Sequence, residues 1–575
     1  MRDGRFATAA LAGVAGVPVT IAGVTALRQL VAAPEWFLIG AALFVAATAG
    51  VALRPLVART GDVPIAALGT VALLLPAGMT WWATARLLQA GPVAQLAWML
   101  GEEDNAHVVG VAREILEGGP SGAELAAQYG TSFATPGIAL VELGLVGPAA
   151  ADPRIGAIAA TTAATALLPL LLGTAVVTAA LAVGAGLGAA RPGGARPGRG
   201  GRALSALVGG LTLGAVLQLL TVGLQMQLGF ATLAWAITWV VVGWAAVLGL
   251  TAEGLPRTTR AVLVLQLLLA AVLVEGSWPF VAGAAVLPAM TLVAGPARDL
   301  LRGGWRRTTG TVSGALVAAA AAGALLVGSG AVRTVLSFGR TAFTAGVEVG
   351  SSIIEVGSGP VVAGAIGAAM AIGAVARHRT LAVRVGAATL GAAGTVLAVR
   401  LAALAVADGI TGYGGSKLLL STVVLAVAAA AVIAAAGRAP RLGPPAAAAI
   451  AVLILLDPLG RTALGWWDRT SPAEPPHAVA TVTAIEASSP GLPIRCRPAP
   501  GTPATAASRL AAYFCIVWME DAFNIGPESG NRFEFFQTEA PTFDDAVRAA
   551  EAEGLYGFAF PLRLGPGWFG WDGAS

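Results

Sequence analysis

The chain has 575 residues, of which 56% are apolar and only 11% charged, and its mean hydropathy is +0.78. That balance excludes an ordinary soluble globular protein: apolar runs of about 18–25 residues recur, the length of a helix crossing a hydrocarbon core of roughly 30 Å. The basic residues are almost all arginine, Lys417 being the single lysine; with abundant Ala and Gly this bias reads as a high-GC coding sequence, so the basic balance of +4 implies no nucleic-acid partner.

The runs are rich in Ala, Leu, Val and Gly and lack period-two alternation, so they read as helices and not as barrel strands. In lipid a helix satisfies its own backbone groups. Spans are expected at 7–27, 36–54, 64–88, 155–178, 203–224, 229–251, 260–275, 279–296, 310–330, 360–376, 381–405, 418–436 and 446–465. The fourth apolar run continues to about Ala190. The fold class that follows is a polytopic α-helical membrane protein of about 13 transmembrane helices. A transmembrane domain over 1–467 precedes a small extracytoplasmic α+β domain over 468–575.

Arginine placement sets the expected orientation. With the N-terminus, bearing Arg2 and Arg5, in the cytoplasm, every second connection is basic: Arg54 and Arg59, RPGGARPGRGGR (191–202), Arg257 and Arg260, ARDLLRGGWRR (297–307), RHR (377–379) and GRAPR (437–441). The alternate connections hold most loop acids: the 89–154 loop, Glu275, Glu348, Glu355 and Asp408. The first apolar segment leads into further spans and is not read as a cleaved signal. The expected location is the plasma membrane, multi-pass, with the C-terminal domain outside.

The longest external connection is 89–154, and loops beyond about 12–15 residues are usually functional or disordered. It opens on GEEDNAHVVGVAREILEGG (101–119). Apolar residues at 108, 111, 112, 115 and 116 mark one helix face. Glu103 and Asp104 fall at the helix start, where Asp104 or Asn105 is a natural cap and acids complement the dipole. SGAELAAQYG suggests a second short helix, and TPGIALVELGLVG one lying at or dipping into the interface. His107 lies one turn after Glu103, on the same face, as a metal ligand or a hydrogen-bonded histidine.

Further along, Arg400 falls inside a span, which is costly and marks a functional-site candidate. Lys417 stands in the external turn ADGITGYGGSK, either functional or snorkelling to the interface. Arg333 and Arg340 share the external 331–359 loop with Glu348 and Glu355. Asp457 and Arg461, one turn apart in the last span, read as a structural ion pair.

After Trp467, SPAEPPH (471–477) is a linker. AVATVTAIEA (478–487), FEFFQT (533–538) and LYGFAFPL (555–562) read as strands, and TFDDAVRAAEAEG as a capped helix. Cys496 and Cys515 both lie in this domain. Outside the cell they would form a disulfide closing a loop of about 20 residues, worth on the order of 3 kcal/mol, the alternative being two buried thiols. Trp518, Trp568 and Trp571 suit either sugar stacking or a small core, and Trp466 and Trp467 stand at the membrane junction. No Walker loop, GxSxG or HExxH motif occurs.

From Glu103, the segment EDNAHVVGVAREILEGG resembles the first-loop signature of GT-C glycosyltransferases, polytopic enzymes that use polyprenyl-phosphate sugars. Glu103 and Asp104 match its acid pair, Ala112 and Arg113 its small-basic pair, and Leu116 and Gly118 follow in register. Two features depart from the pattern: the loop follows the third expected span where the family has the first, and Gly110 stands where many members have Arg. The arginine-for-lysine bias resembles actinobacterial cell-envelope members such as the arabinofuranosyltransferases.

The resemblance implies transfer from a polyprenyl-phosphate sugar donor to a glycan or lipid acceptor at the outer membrane face. Asp104 would be general base and Glu103 its partner. Arg400, Lys417, Arg333 and Arg340 would bind the donor phosphate. It implies no fixed protein metal site, while a divalent cation (Mg, Mn or Ca) bound by an acid is compatible with it. A transporter or flippase for a lipid-linked glycan would instead place ionisable groups within spans. A non-enzymatic scaffold displaying its C-terminal domain would not need the acidic loop.

Overall fold

The computed structural model describes residues 2–30, 35–60, 62–89, 91, 95, 103–117, 131–146, 153–188, 198–250, 252, 254–275, 277, 281, 356–376, 413–468, 495–496, 533–537, 560–565 and 568–572. The helices are α1 (Arg2–Leu30), α2 (Glu35–Ala58), α3 (Val63–Ala85, continued by a 3-10 turn Arg86–Gln89), α4 (Glu103–Leu116) and α5 (Thr131–Glu142). They continue with α6 (Pro153–Gly188), α7 (Arg199–Gln227), α8 (Ala231–Leu250) and α9 (Arg257–Glu275). The last four are α10 (Ser358–Ala376), α11 (Tyr413–Ala435), α12 (Gly443–Leu456) and α13 (Pro458–Asp468).

Among the described residues, seven helices are long and apolar enough to cross a membrane: α1, α2, α3, α6, α7, α8 and α9. The chain is therefore an α-helical membrane protein. The expected spans at 279–296, 310–330 and 381–405 lie outside the described residues. The fourth span runs to Gly188, following its apolar run.

α6 is the central helix: 89% of its apolar stretch is buried, against 22% for α2. α3, α5, α4, α8, α1 and α11 all pack on it. The outward surface is apolar, with Phe44, Val51, Leu75, Met79 and Trp82 more than half exposed, as a lipid-facing surface requires. Many hydroxyls inside the helices are satisfied by the carbonyl one turn earlier. Thr161, Thr162 and Thr165 donate to the carbonyls of Ala157, Ile158 and Thr161 at 2.7, 2.8 and 2.9 Å. Close backbone contact is built on glycine: a Cβ at Gly69 would strike the carbonyl of Ala435, and one at Gly137 that of Ala160. Small residues let helices approach where lipid supplies no hydrophobic drive between them.

Among the described residues, four of the basic connections gather at one end of the bundle. Arg59 donates to the Gly254 carbonyl at 2.6 Å, and Thr259 to that of Ala52 at 2.6 Å. Arg202 pairs with Asp62 at 3.1 Å, and Arg438 donates to the Gly184 carbonyl at 3.2 Å. The turns α2–α3, α6–α7, α8–α9 and α11–α12 thus lie together. The α3–α6 connection, with α4 and α5, is at the opposite end. Arginine 297–307 and 377–379 segments lie outside the described residues.

The last expected span is two helices. α12 and α13 meet at a bend of 81°. Asp457 is extended (φ −74°, ψ 147°) because Pro458 follows it and drives the preceding residue out of the helical region. The Asp457–Arg461 ion pair is not formed. The Asp457 carboxylate instead accepts from the Leu459 backbone N–H at 3.0 Å, capping α13, and Arg461 is exposed.

Four strands pair in the C-terminal region in the order β1–β2–β4–β3: β1 (Arg495–Cys496), β2 (Phe533–Gln537), β3 (Phe560–Gly565) and β4 (Trp568–Asp572). β1 and β2 are parallel, and β4 runs antiparallel to both β2 and β3. β2 covers the expected FEFFQ strand. β3 begins five residues later than expected, at the end of the 555–562 segment, and β4 adds a strand beyond those expected. Pro561 is tolerated in β3 because β3 is an edge strand. The 478–487 strand and the 542–554 helix lie outside the described residues.

Candidate functional site

α4 starts at Glu103, where the acid motif predicts a helix start. Glu103 and Asp104 form its first turn, and the side chains of 103–107, His107 included, lie outside the described residues. Further along, Val108, Val109, Val111 and Ala112 are buried, and Arg113 pairs with Glu117 at 2.7 Å. Burial of Val109 beside Val108 shows that α4 is covered on more than one face. Its neighbours are α6, α5 and α8.

α5 is not laid along the interface. Residues 132–139 are all buried, packed on α6, α1 and α4. A helix enclosed by other helices needs no lipid-facing apolar stripe, so its pattern is apolar nearly throughout. Its last residue, Glu142, is held by Arg28 at the end of α1: Arg28 Nε donates to Oε2 at 2.8 Å and a second guanidinium nitrogen to Oε1. Phe133, near its start, meets Trp235 edge-on at 5.6 Å, and Trp235 meets Trp239 likewise at 5.5 Å.

Lys417 is not in an external turn. It lies in the second turn of α11, only 2% exposed, with its ammonium 3.9 Å from the centre of the Phe230 ring. A cation over an aromatic face in a desolvated setting gains about 2 kcal/mol. The Phe230 N–H in turn donates to the Gln225 carbonyl at 2.6 Å. Lys417 is therefore tied to the junction of α7 and α8, not snorkelling to water.

That junction carries a polar stripe. Gln218, Thr221 and Gln225 recur at helical spacing along α7 and are at most 3% exposed. They flank and occupy the π-helical stretch Leu219–Leu224. The Gln218 amide donates to the Pro169 carbonyl at 3.1 Å. Its oxygen, the Thr221 hydroxyl, both ends of the Gln225 amide and the indole N–H groups of Trp235 and Trp239 have no protein hydrogen-bond partner. Such an atom costs about 1–3 kcal/mol when buried, and π-turns inside helices recur at functional sites. The α7 stripe offers amide and hydroxyl groups, the chemistry that recognises hydroxyls. Sequence reasoning passed over these residues, although three polar side chains at spacing i, i+3 and i+7 in an apolar span were a legible signal.

Arg400, Arg333 and Arg340 lie outside the described residues, as does Cys515, whereas Cys496 ends β1. Among the described residues no group of three or more His, Cys, Asp or Glu is placed to hold a metal ion. Comparison with protein-family models, curated proteins and solved structures found no match to this chain.

Proposed function

We propose that the chain is a GT-C-type glycosyltransferase that moves a sugar from a polyprenyl-phosphate donor to a cell-envelope glycan or lipid acceptor. The single observation that carries this reading is the acid motif 103–119, with its helix beginning at Glu103, at the bundle end away from the basic connections. In this reading that end faces outward, and the arginine-bearing end faces the cytoplasm. The full span count is about thirteen, and the C-terminal strands belong to an external α+β domain with Cys496 and Cys515 bridged.

Asp104 takes the proton of the acceptor hydroxyl as it attacks the anomeric carbon, with Glu103 orienting it or an accompanying divalent ion. The leaving lipid phosphate needs cationic donors at the same membrane face. Lys417, with Arg400, Arg333 and Arg340, is assigned that role. The unpartnered Gln218 oxygen, Thr221 hydroxyl and Gln225 amide support a substrate rich in hydroxyls.

The test is transfer from polyprenyl-phosphate sugars by the full chain in lipid nanodiscs. Asp104→Asn is expected to lower transfer by about 10²–10⁴-fold, the usual share of a general base. Undiminished transfer removes the assignment.

A second reading, a transporter for a lipid-linked glycan, is favoured by one observation: the bend at Asp457, a carboxylate 9% exposed at a break between two helices. Broken helices with buried polar groups are how transporters hold substrate. Flux into proteoliposomes without sugar transfer selects it.

A further inference from the structure

We propose that the arginine-rich end of the bundle carries a binding site for the phosphate ester of an anionic phospholipid, built by Arg199 and Arg202 beside Asp62, with the charge of Arg438 close by. Nothing in this proposal depends on the glycosyltransferase reading.

Asp62 directly precedes α3 and spends its carboxylate on arginine instead of capping the helix. Arg202 reaches it at 3.1 Å and Arg199 at 3.9 Å. Arg438 spends one guanidinium nitrogen on the Gly184 carbonyl, and its buried Nε has no partner. Two guanidiniums therefore share one carboxylate while a third lies close enough to feel its charge, so among the described residues positive charge exceeds negative in this cluster. Burial first, and then the neighbouring charge on Arg202, lower the Arg438 pKa to about 10 in spite of the opposing pull of Asp62. An added anion would relieve that strain.

Two clefts meet at Asp62. One, lined by Thr60, Asp62, Gly184 and Arg202, is only about 20 Å³, room for a single water. The other, open and about 510 Å³, is lined by Asp62, Val63, Pro64 and Arg199 and is the one large enough for a headgroup. Planar guanidinium forks suit the tetrahedral oxygens of a phosphate better than a point charge would.

A second observation identifies the phosphate as a lipid's. Directly below the arginines on α7, Leu204, Leu207, Val208 and Leu211 are 52%, 42%, 40% and 36% exposed. Their spacing of three and four residues makes one continuous apolar stripe. An acyl chain on this stripe would bring its headgroup phosphate level with Arg199 and Arg202. Basic pockets between membrane helices bind anionic headgroups in this manner.

The experiment measures lipid retention and thermal stabilisation of the full chain in detergent micelles. Its arms are phosphatidylglycerol, phosphatidylcholine and inorganic phosphate. Phosphatidylglycerol should bind and stabilise more than phosphatidylcholine, and inorganic phosphate at equal concentration should not reproduce the effect. Arg199→Gln, at the exposed rim, should weaken phosphatidylglycerol by about fivefold, and the Arg199→Gln/Arg202→Gln pair by about 25-fold. Leu207→Ser should weaken the lipid while leaving the headgroup site intact, and Arg461→Gln should change nothing. Equal binding of the two lipids, or a full effect from inorganic phosphate, overturns the proposal. So does unchanged phosphatidylglycerol binding in Arg199→Gln, which leaves the tighter Arg202–Asp62 pair in place.

Discussion

Arg28 and Glu142 face each other through two parallel hydrogen bonds, one of them 2.8 Å, across 114 residues of sequence. The guanidinium closes α1 and the carboxylate closes α5, so this fork fastens the α3–α6 connection to the first helix. Both side chains are mostly covered, 18% and 29% exposed, which limits screening by solvent. Removal of either partner should cost about 1.5–3 kcal/mol, the range for hydrogen bonds to charged groups. Thermal melts of Arg28→Ala, Glu142→Ala and the double variant check this. The double variant should lose clearly less than the two singles together; additivity within about 0.5 kcal/mol would mean the pair is not coupled.

The glycine contacts make a second prediction about packing. Gly137→Ala drives a methyl group into the Ala160 carbonyl, and Gly69→Ala into that of Ala435. Each should destabilise by about 1–3 kcal/mol, since helices α5–α6 and α3–α11 must separate. Gly78→Ala meets nothing within 4 Å and should be neutral or stabilise by up to about 1 kcal/mol through helix propensity. Equal melting temperatures for all three would contradict the close approach.

At the α12–α13 bend, the cap and the ion pair predict different outcomes. Asp457→Ala should cost about 0.5–2 kcal/mol through loss of the Leu459 bond. Arg461→Ala should stay within about 0.5 kcal/mol of the parent, as an exposed side chain outside any pair. A loss in Arg461→Ala matching that in Asp457→Ala would restore the ion pair.

Lys417 and Phe230 form a pair that a thermodynamic cycle can isolate. Phe230→Leu should lose about 2 kcal/mol beyond the volume change, from the cation over the ring. In a Lys417→Met background that extra loss should vanish. If Phe230→Leu costs the same in both backgrounds, the ammonium is not held by the ring.

Hydropathy alone determined that the chain is helical and membrane-spanning, because a helix in lipid needs only about 20 apolar residues and its own hydrogen bonds. The acid run before an apolar face marked the start of α4 at Glu103, since capping is a local matter. Arginine spacing grouped six connections, and the contacts of Arg59, Arg202 and Arg438 join the four that lie among the described residues. The break at Asp457 was also written in the chain, as an Asp-Pro step, but a continuous apolar run masked it.

Tertiary structure alone decided the rest. Arg28 and Glu142 meet only because α1 and α5 pack side by side. Lys417 reads as a turn lysine until α11 buries it against Phe230. Gln218, Thr221 and Gln225 are buried only because the helices around α7 enclose them. In each case the energy lies in a contact between segments far apart in sequence, and no local pattern encodes which distant group will be the partner.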